Sequence, residues 1–243
     1  MDFALDAEQL ELKQAARAWL ADRFPLDRDW EATGDRWNEL AELGWLDVEA
    51  AGLGFIEEAL LLEEMGYACY PGFYLGHVAS LPNEEGVPTV DPARPFHLVD
   101  ETPRFRAAAA AEALGVAQRA LDLGVEHATT RVQFGKPIGT YQAVSHPLAQ
   151  TYTDVELARS LVYWAAWCVG EQDARAPAAA AAAKAFATEA AVAACERSIQ
   201  VHGGIGFTWE HPLHRFYKRA LWLEGFGLRP ADLRLEIANA LLE

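Results

Sequence analysis

Three side chains within four residues, Arg131, Gln133 and Phe134, form the set in this sequence best suited to chemistry. A guanidinium grips a diphosphate through parallel hydrogen bonds, an amide both donates and accepts, and an aromatic ring stacks on a base. These are the groups that would hold a dinucleotide. They lie in the run Arg131-Val132-Gln133-Phe134-Gly135-Lys136-Pro137-Ile138, where Gly135 and Pro137 punctuate the chain because neither suits a helix interior. The same residues allow a plainer reading, in which Arg131 caps a helix C-terminus and Phe134 plugs a helical bundle. A second run, Gln200-Val201-His202-Gly203-Gly204-Ile205-Gly206-Phe207, has glycines that let a backbone approach a ligand closely, or simply end a helix.

Long helices must position both runs. Leu114, Ala117, Leu121, Val125 and Ala128 recur at helical spacing, and the pattern predicts a helix from about Arg106 to Thr130. Val144, Leu148, Val155, Val162 and Ala165 repeat it from about Thr140 to Val169. A third helix follows from Ala174 to Gln200, with Pro177 in its first turn and an alanine run that permits close packing. Residues 212–223 read as a short basic helix, and Pro230 opens a last one to Leu242. Upstream, residues 6–24 form an amphipathic helix capped by Asp6 and stopped by Pro25, Trp37 to Leu43 form a short helix ended by Gly44, and Phe55 to Tyr67 form another. The acids of that last helix, Glu57, Glu58, Glu63 and Glu64, read as its solvated face. Between the two helical parts, residues 71–103 hold six of the chain's twelve prolines, with Phe96-His97-Leu98-Val99 as a possible single strand. The expected division is an N-terminal helical domain over 1–76, a proline-rich linker over 77–103 and a C-terminal helical bundle over 104–243.

Composition excludes several roles. The chain has 243 residues, 51% of them hydrophobic, enough for a substantial core. Its formal net charge of −16 repels phosphate backbones and anionic lipid, which argues against nucleic-acid and membrane-surface functions. Cys69, Cys168 and Cys195 have no metal-ligand spacing, no metal site is expected, and they read as buried free thiols in a reducing compartment. No basic leader or spanning apolar run is present, so a cytoplasmic location is expected.

Several segments carry a family resemblance. Residues 117–122 (Ala-Gln-Arg-Ala-Leu-Asp), 131–138 and 141–144 (Tyr-Gln-Ala-Val), then Gln200 to Phe207 with Glu210 and Pro212, resemble the C-terminal helical domain of acyl-CoA dehydrogenases. The N-terminal helices, through Glu63-Glu64-Met65-Gly66 and Tyr74-Leu75-Gly76, resemble that family's N-terminal domain more loosely. The resemblance implies an all-α fold, an N-terminal helical domain followed by a four-helix bundle, with the family's middle β-barrel domain missing or vestigial. It implies FAD as cofactor. Arg131, Gln133 and Phe134 would hold its pyrophosphate and adenosine side, joined by Gln142, Gln200, Gly203 and Gly204, and the FAD would be shared with a neighbouring subunit.

Two departures shape the functional expectation. Residues 77–103 are too few for the barrel that cradles the isoalloxazine ring in the family. The family's catalytic base also lacks an obvious counterpart. Glu224-Gly225 resembles the base motif, yet ungapped counting from Pro212 sets Glu224 one turn early and puts Gly227 at the base position. The alternative base position falls on Phe105, and Glu112 is a weaker candidate that would be buried with a basic partner. The expected function is that of a subunit of an FAD-dependent acyl-CoA dehydrogenase, acting on an acyl-CoA thioester such as one with a bulky steroid-type side chain. Its partner would be a full-length homologue, in a heterotetramer. The alternatives are a self-sufficient minimal dehydrogenase with Glu224 as base, or a helical scaffold that binds no flavin.

Overall fold

A computed structural model describes residues 5–30, 34–72, 74–79 and 101–242. The possible strand at Phe96 to Val99 and most of the proline-rich linker lie outside the described residues. The architecture is all-α. Helices α1 (Ala7–Arg23), α2 (Trp37–Glu42), α3 (Phe55–Ala68) and α4 (Tyr74–Val78) precede the linker. Helices α5 (Pro103–Thr130), α6 (Gln142–Gly170), α7 (Ala176–His202), α8 (Leu213–Gly225) and α9 (Pro230–Leu242) follow it. The strands among the described residues are β1 (Val132–Gln133) and β2 (Lys136–Pro137), a two-residue pair between α5 and α6.

Local chemistry sets the helix ends. The Asp6 carboxylate accepts from the Gln9 amide at 2.8 Å while the Gln9 side chain accepts from the Asp6 amide, a reciprocal capping box that starts α1. Thr102 caps α5 through the Phe105 amide, and Pro103 occupies the first turn, where its missing N–H costs nothing.

α7 is the centre of the bundle, packed on α5, α6, α8 and α9. Its alanines, Ala179, Ala180, Ala183, Ala187, Ala191 and Ala194, are buried against neighbours that come close because nothing larger than a methyl intervenes. Its length and mean hydropathy of 1.3 would suit a membrane span, but most of that surface is inside the bundle, as befits a core helix.

α3 crosses α5 by a reciprocal glycine contact. A Cβ on Gly66 would run into the Glu112 carbonyl, and one on Gly115 into the Glu63 carbonyl. The backbones therefore touch, and a side chain at either position would force the helices apart.

The acids of α3 depart from expectation. Only Glu57 stays partly open, accepting from the Gly54 amide at 2.8 Å. Glu58, Glu63 and Glu64 are buried, with Glu63 only 1% exposed. α3 is not a surface helix. α1, α5 and α6 wrap it, and each carboxylate meets a cation from one of those elements or from their flanks. Glu63 binds Lys13 at 2.6 Å, the Tyr163 hydroxyl at 2.8 Å and Arg159. Glu64 binds Arg17, and Glu58 binds Arg104 at 2.5 Å. Two cations outweigh the desolvation of Glu63, and its carboxyl titrates below the usual range. Val125 also departs from the face expected of it and is largely exposed, because the α5 stripe narrows toward its C-terminal end.

Candidate functional site

The run from Arg131 to Ile138 is a β-hairpin mounted on the ends of two long helices. Arg131 is the C-cap residue of α5, its amide donating to the His127 carbonyl at 2.9 Å. Val132 pairs with Pro137 and Gln133 with Lys136. Phe134 (φ 51°) and Gly135 (φ 80°) form the tip, both in the left-handed region, as a tight two-residue hairpin turn requires. Glycine adopts this backbone freely, whereas phenylalanine does so at a cost, and strained positions of this kind cluster at functional sites. The Tyr141 hydroxyl donates to the Gln133 carbonyl at 3.4 Å, and the Lys136 ammonium sits 4.3 Å from the Tyr141 ring, so the hairpin is tied to the start of α6.

Phe134 does not plug the bundle. It is 92% exposed, held outward by the turn it occupies. Arg131 and Gln133 are exposed beside it, and Arg131 forms no ion pair among the described residues. Gln142 opens α6, exposed, and no side chain caps that helix. An uncapped first turn presents the positive end of the helix, which favours a phosphate.

The glycine run lies at the same end of the bundle. α5 and α7 run parallel there: a Cβ on Gly124 would meet Ser198, and the His127 and His202 rings stack at 4.2 Å. Each ring sits one turn or less from its loop, so α7 delivers Gln200, Gly203 and Gly204 beside the α5 terminus. Gly203 ends α7 with φ 65°, and a Cβ at Gly203 or Gly204 would meet nothing within 4 Å. No hydrogen bond joins this loop to the hairpin among the described residues. The structure thus gathers Arg131, Gln133, Phe134 and Gln142 on one mount and sets Gln200, Gly203 and Gly204 on the adjoining helix end.

Glu224 lies elsewhere, half-buried on α8. Burial pushes its carboxyl pKa up, the nearby acids Glu189 and Glu196 push it further, and Arg229 opposes them. Glu112 is buried and bound to Arg219 at 2.5 Å, as expected of a carboxylate deep in a helix interface.

The two positions that the resemblance assigns to a base converge on a cluster that sequence reasoning missed. Lys184, 1% exposed, pairs with Glu101. Its ammonium also donates to the carbonyls of Phe226 at 2.7 Å and Leu228 at 3.0 Å, while the Leu228 amide donates to Glu101 at 2.8 Å. Gly227 (φ 77°) sits directly on this pair: a Cβ there would lie 3.0 Å from both the Glu101 carboxyl and the Lys184 ammonium. Phe105 is fully buried, its ring 5.0 Å from the same ammonium and 5.3 Å from the Phe226 ring. The space beside both positions is filled by an internal ion pair and two rings. A lysine breaking the alanine run 178–183 was the available signal.

These residues fit the nucleotide half of FAD. A guanidinium without a carboxylate, a presented ring, an uncapped helix start and open glycine backbone form the donor set a diphosphate and a base need. Among the described residues nothing comparable surrounds an isoalloxazine ring.

The chain belongs to the acyl-CoA dehydrogenase family: the family's C-terminal domain matches residues 101–227 and its N-terminal domain residues 6–83. FAD is the cofactor that this membership indicates. One relative is the acyl-CoA dehydrogenase IpdE2 of Mycobacterium tuberculosis, 46% identical over 111 residues that span 46% of this chain and 33% of that protein. The chain spans about a third of the length of three of the curated relatives it matches. Among solved structures, a variant of the Tcur3481-Tcur3483 steroid ACAD superposes with a TM-score of 0.80 at 24% identity, covering 97% of this chain and 98% of that one. The ChsE4-ChsE5 complex from Mycobacterium tuberculosis superposes with a TM-score of 0.79 at 22% identity, covering 100% and 99%. At these identities the superpositions establish the fold.

Proposed function

We propose that this chain is a subunit of a hetero-oligomeric, FAD-dependent acyl-CoA dehydrogenase that completes a partner's cofactor site without supplying the base. When bound, FAD accepts the hydride in the α,β-dehydrogenation of an acyl-CoA thioester. Arg131 takes the pyrophosphate, Gln133 and Gln142 hydrogen-bond around it, Phe134 packs on the adenosine side, and the Gln200, Gly203 and Gly204 backbone closes over it. A full-length homologue supplies the isoalloxazine cradle and the general base, in a cytoplasmic heterotetramer. Two structural neighbours, one a steroid ACAD and the other a two-component complex, support a bulky steroid-type acyl group and an unlike partner. In this reading residues 1–76 and 104–243 are two helical domains joined by a linker over 77–103.

One observation carries the proposal. The end of the bundle bearing Arg131 holds its cation exposed and, among the described residues, unpaired, while the positions for a base are occupied by Phe105 and Gly227 against a closed ion pair. The chain expressed alone is therefore expected to purify colourless, and co-expression with its full-length homologue to give yellow, active protein. Stoichiometric FAD and turnover by the lone chain would refute this assignment.

A further inference from the structure

A cavity of about 530 Å³ lies between α1, α3 and α5, some 18 Å along α5 from the hairpin at 1.5 Å per residue. Nothing in the FAD reading uses it. One wall is apolar, made by Leu20, Phe24, Leu26 and Ala68. The other carries Glu64 and two arginines that both lie over the Tyr67 ring, Arg119 at 4.7 Å from its centre, in different electrostatic circumstances. Arg17 is committed: its guanidinium binds Glu64 through two nitrogens and lies 3.3 Å from the Tyr67 ring centre. Arg119 is not. Its Nη1 donates to the Tyr67 hydroxyl at 2.8 Å, and no carboxylate lies within ion-pair distance among the described residues. Its Nε is buried without an acceptor. The Tyr67 hydroxyl donates onward to Asp122 at 2.8 Å, so the nearest acid is one hydroxyl removed. A half-buried guanidinium with spare donors at the polar end of an apolar cavity is the complement of an amphipathic anion.

We propose that this cavity binds a monocarboxylate with an apolar body of about six to ten carbons, a size suited to small-molecule clefts. The carboxylate sits on the Nη donors of Arg119. The chain lies along Leu20, Phe24 and Leu26. The carboxylate supplies the counter-charge that Arg119 lacks, and the tail's own apolar surface leaves water against Leu20, Phe24 and Leu26. The site is independent of the FAD assignment, because neither loop contributes to it.

The test is calorimetric titration of the full chain with octanoate, with 1-octanol as the uncharged control. One site per chain is expected, with octanol at least about tenfold weaker because the Arg119 contact is lost. Arg119→Gln should weaken octanoate at least about tenfold. Ala21 lines the cavity from an exposed position on α1, so Ala21→Trp fills the mouth without disturbing the core and should block binding as strongly. Circular dichroism confirms that each variant is folded. An absence of binding up to about 10 mM octanoate, equal binding of octanol, or undiminished binding in folded Ala21→Trp each overturns the proposal.

Discussion

The two ends of the bundle treat charge in opposite ways. At the hairpin end, α5 finishes in Arg131, an exposed cation with no acid in ion-pair distance among the described residues, in a chain of net charge −16. At the other end, α7 buries Lys184 and gives it a carboxylate and two carbonyls. With so many acids available, a cation left without one is notable. A buried cation with every donor occupied makes stability and specificity its only visible products. The first end is built to meet something outside the chain and the second to close the chain on itself.

The largest expected effect comes from breaking the closed end. Lys184→Met leaves Glu101 buried beside Gly227 with only Arg106, 3.7 Å away and already paired with Glu236, as counter-ion. Urea denaturation should show a loss of about 3–5 kcal/mol, the range for removing one partner of a buried pair. Adding Glu101→Gln should recover part of that loss, because the poorly compensated buried charge goes with it while Arg106 keeps Glu236. If Lys184→Met unfolds at the wild-type midpoint, the pair is not closing this end. Arg131→Ala, by contrast, should change stability by no more than about 0.5 kcal/mol, since its side chain makes no hydrogen bond or ion pair among the described residues.

The open end should respond in binding. In the assembled complex, Arg131→Ala is expected to lower FAD affinity by about 10- to 100-fold, the worth of a charge-assisted contact to a diphosphate. Arg131→Lys should recover only part, because an ammonium cannot reproduce the two parallel donors. Flavin retained per complex after gel filtration measures both. Unchanged retention in Arg131→Ala favours a scaffold role over the shared site.

A smaller effect separates Glu224 from catalysis. Its carboxyl pKa is raised by burial first and then by Glu189 and Glu196, so its surroundings disfavour the ionised form that a base needs. Glu224→Gln should leave the turnover of the complex unchanged and raise stability at neutral pH by a few tenths of a kcal/mol, as removing a like-charge contact does. A fall in turnover of a hundredfold or more would instead make Glu224 the base.

The helices were legible because their signals are local. Asp6, Pro25, Gly44 and Pro177 mark ends by backbone chemistry, and the apolar spacing of α5 and α6 marks faces, whereas Pro103, read with the linker, turns out to open α5 three residues before the expected start. The hairpin set was legible as residue types but not as geometry, since the left-handed turn at Phe134 depends on the strand pair beneath it. What could not be read was burial imposed from a distance. Glu63 and Glu64 look solvated until Lys13, Arg17 and Arg159 arrive from other helices. Lys184 and Glu101 are far apart in sequence, and no spacing rule joins them.

The last expected effect tests whether the open end is held in place by uncharged rings. His127 and His202 stack at 4.2 Å, and His202 and His211 lie 4.4 Å apart, lining a cleft with Asp27, Glu126 and Glu210. Burial lowers all three pKa values first. His202 and Arg131 lower His127 further, and the neighbouring histidines bring His211 down to about 4. The Ser198 carbonyl, accepting from His202 Nδ1 at 2.8 Å, opposes the shift there. In the unfolded chain these rings titrate near pH 6.5. Below that value the unfolded state binds protons that the folded state refuses, so stability is full above about pH 6.5 and falls as pH drops toward 4. Carboxylates elsewhere begin to titrate near pH 5, so the informative interval is pH 7 to 5.5. Across it the melting temperature should fall by about 2–4 °C. His202→Gln, which keeps a donor for Ser198 but cannot charge, should flatten that slope while leaving the slope of Lys184→Met parallel to wild type. A slope unchanged by His202→Gln would mean that the rings flanking Arg131 and Gly203 already tolerate charge, and the contrast between the two ends would then rest on Arg131 alone.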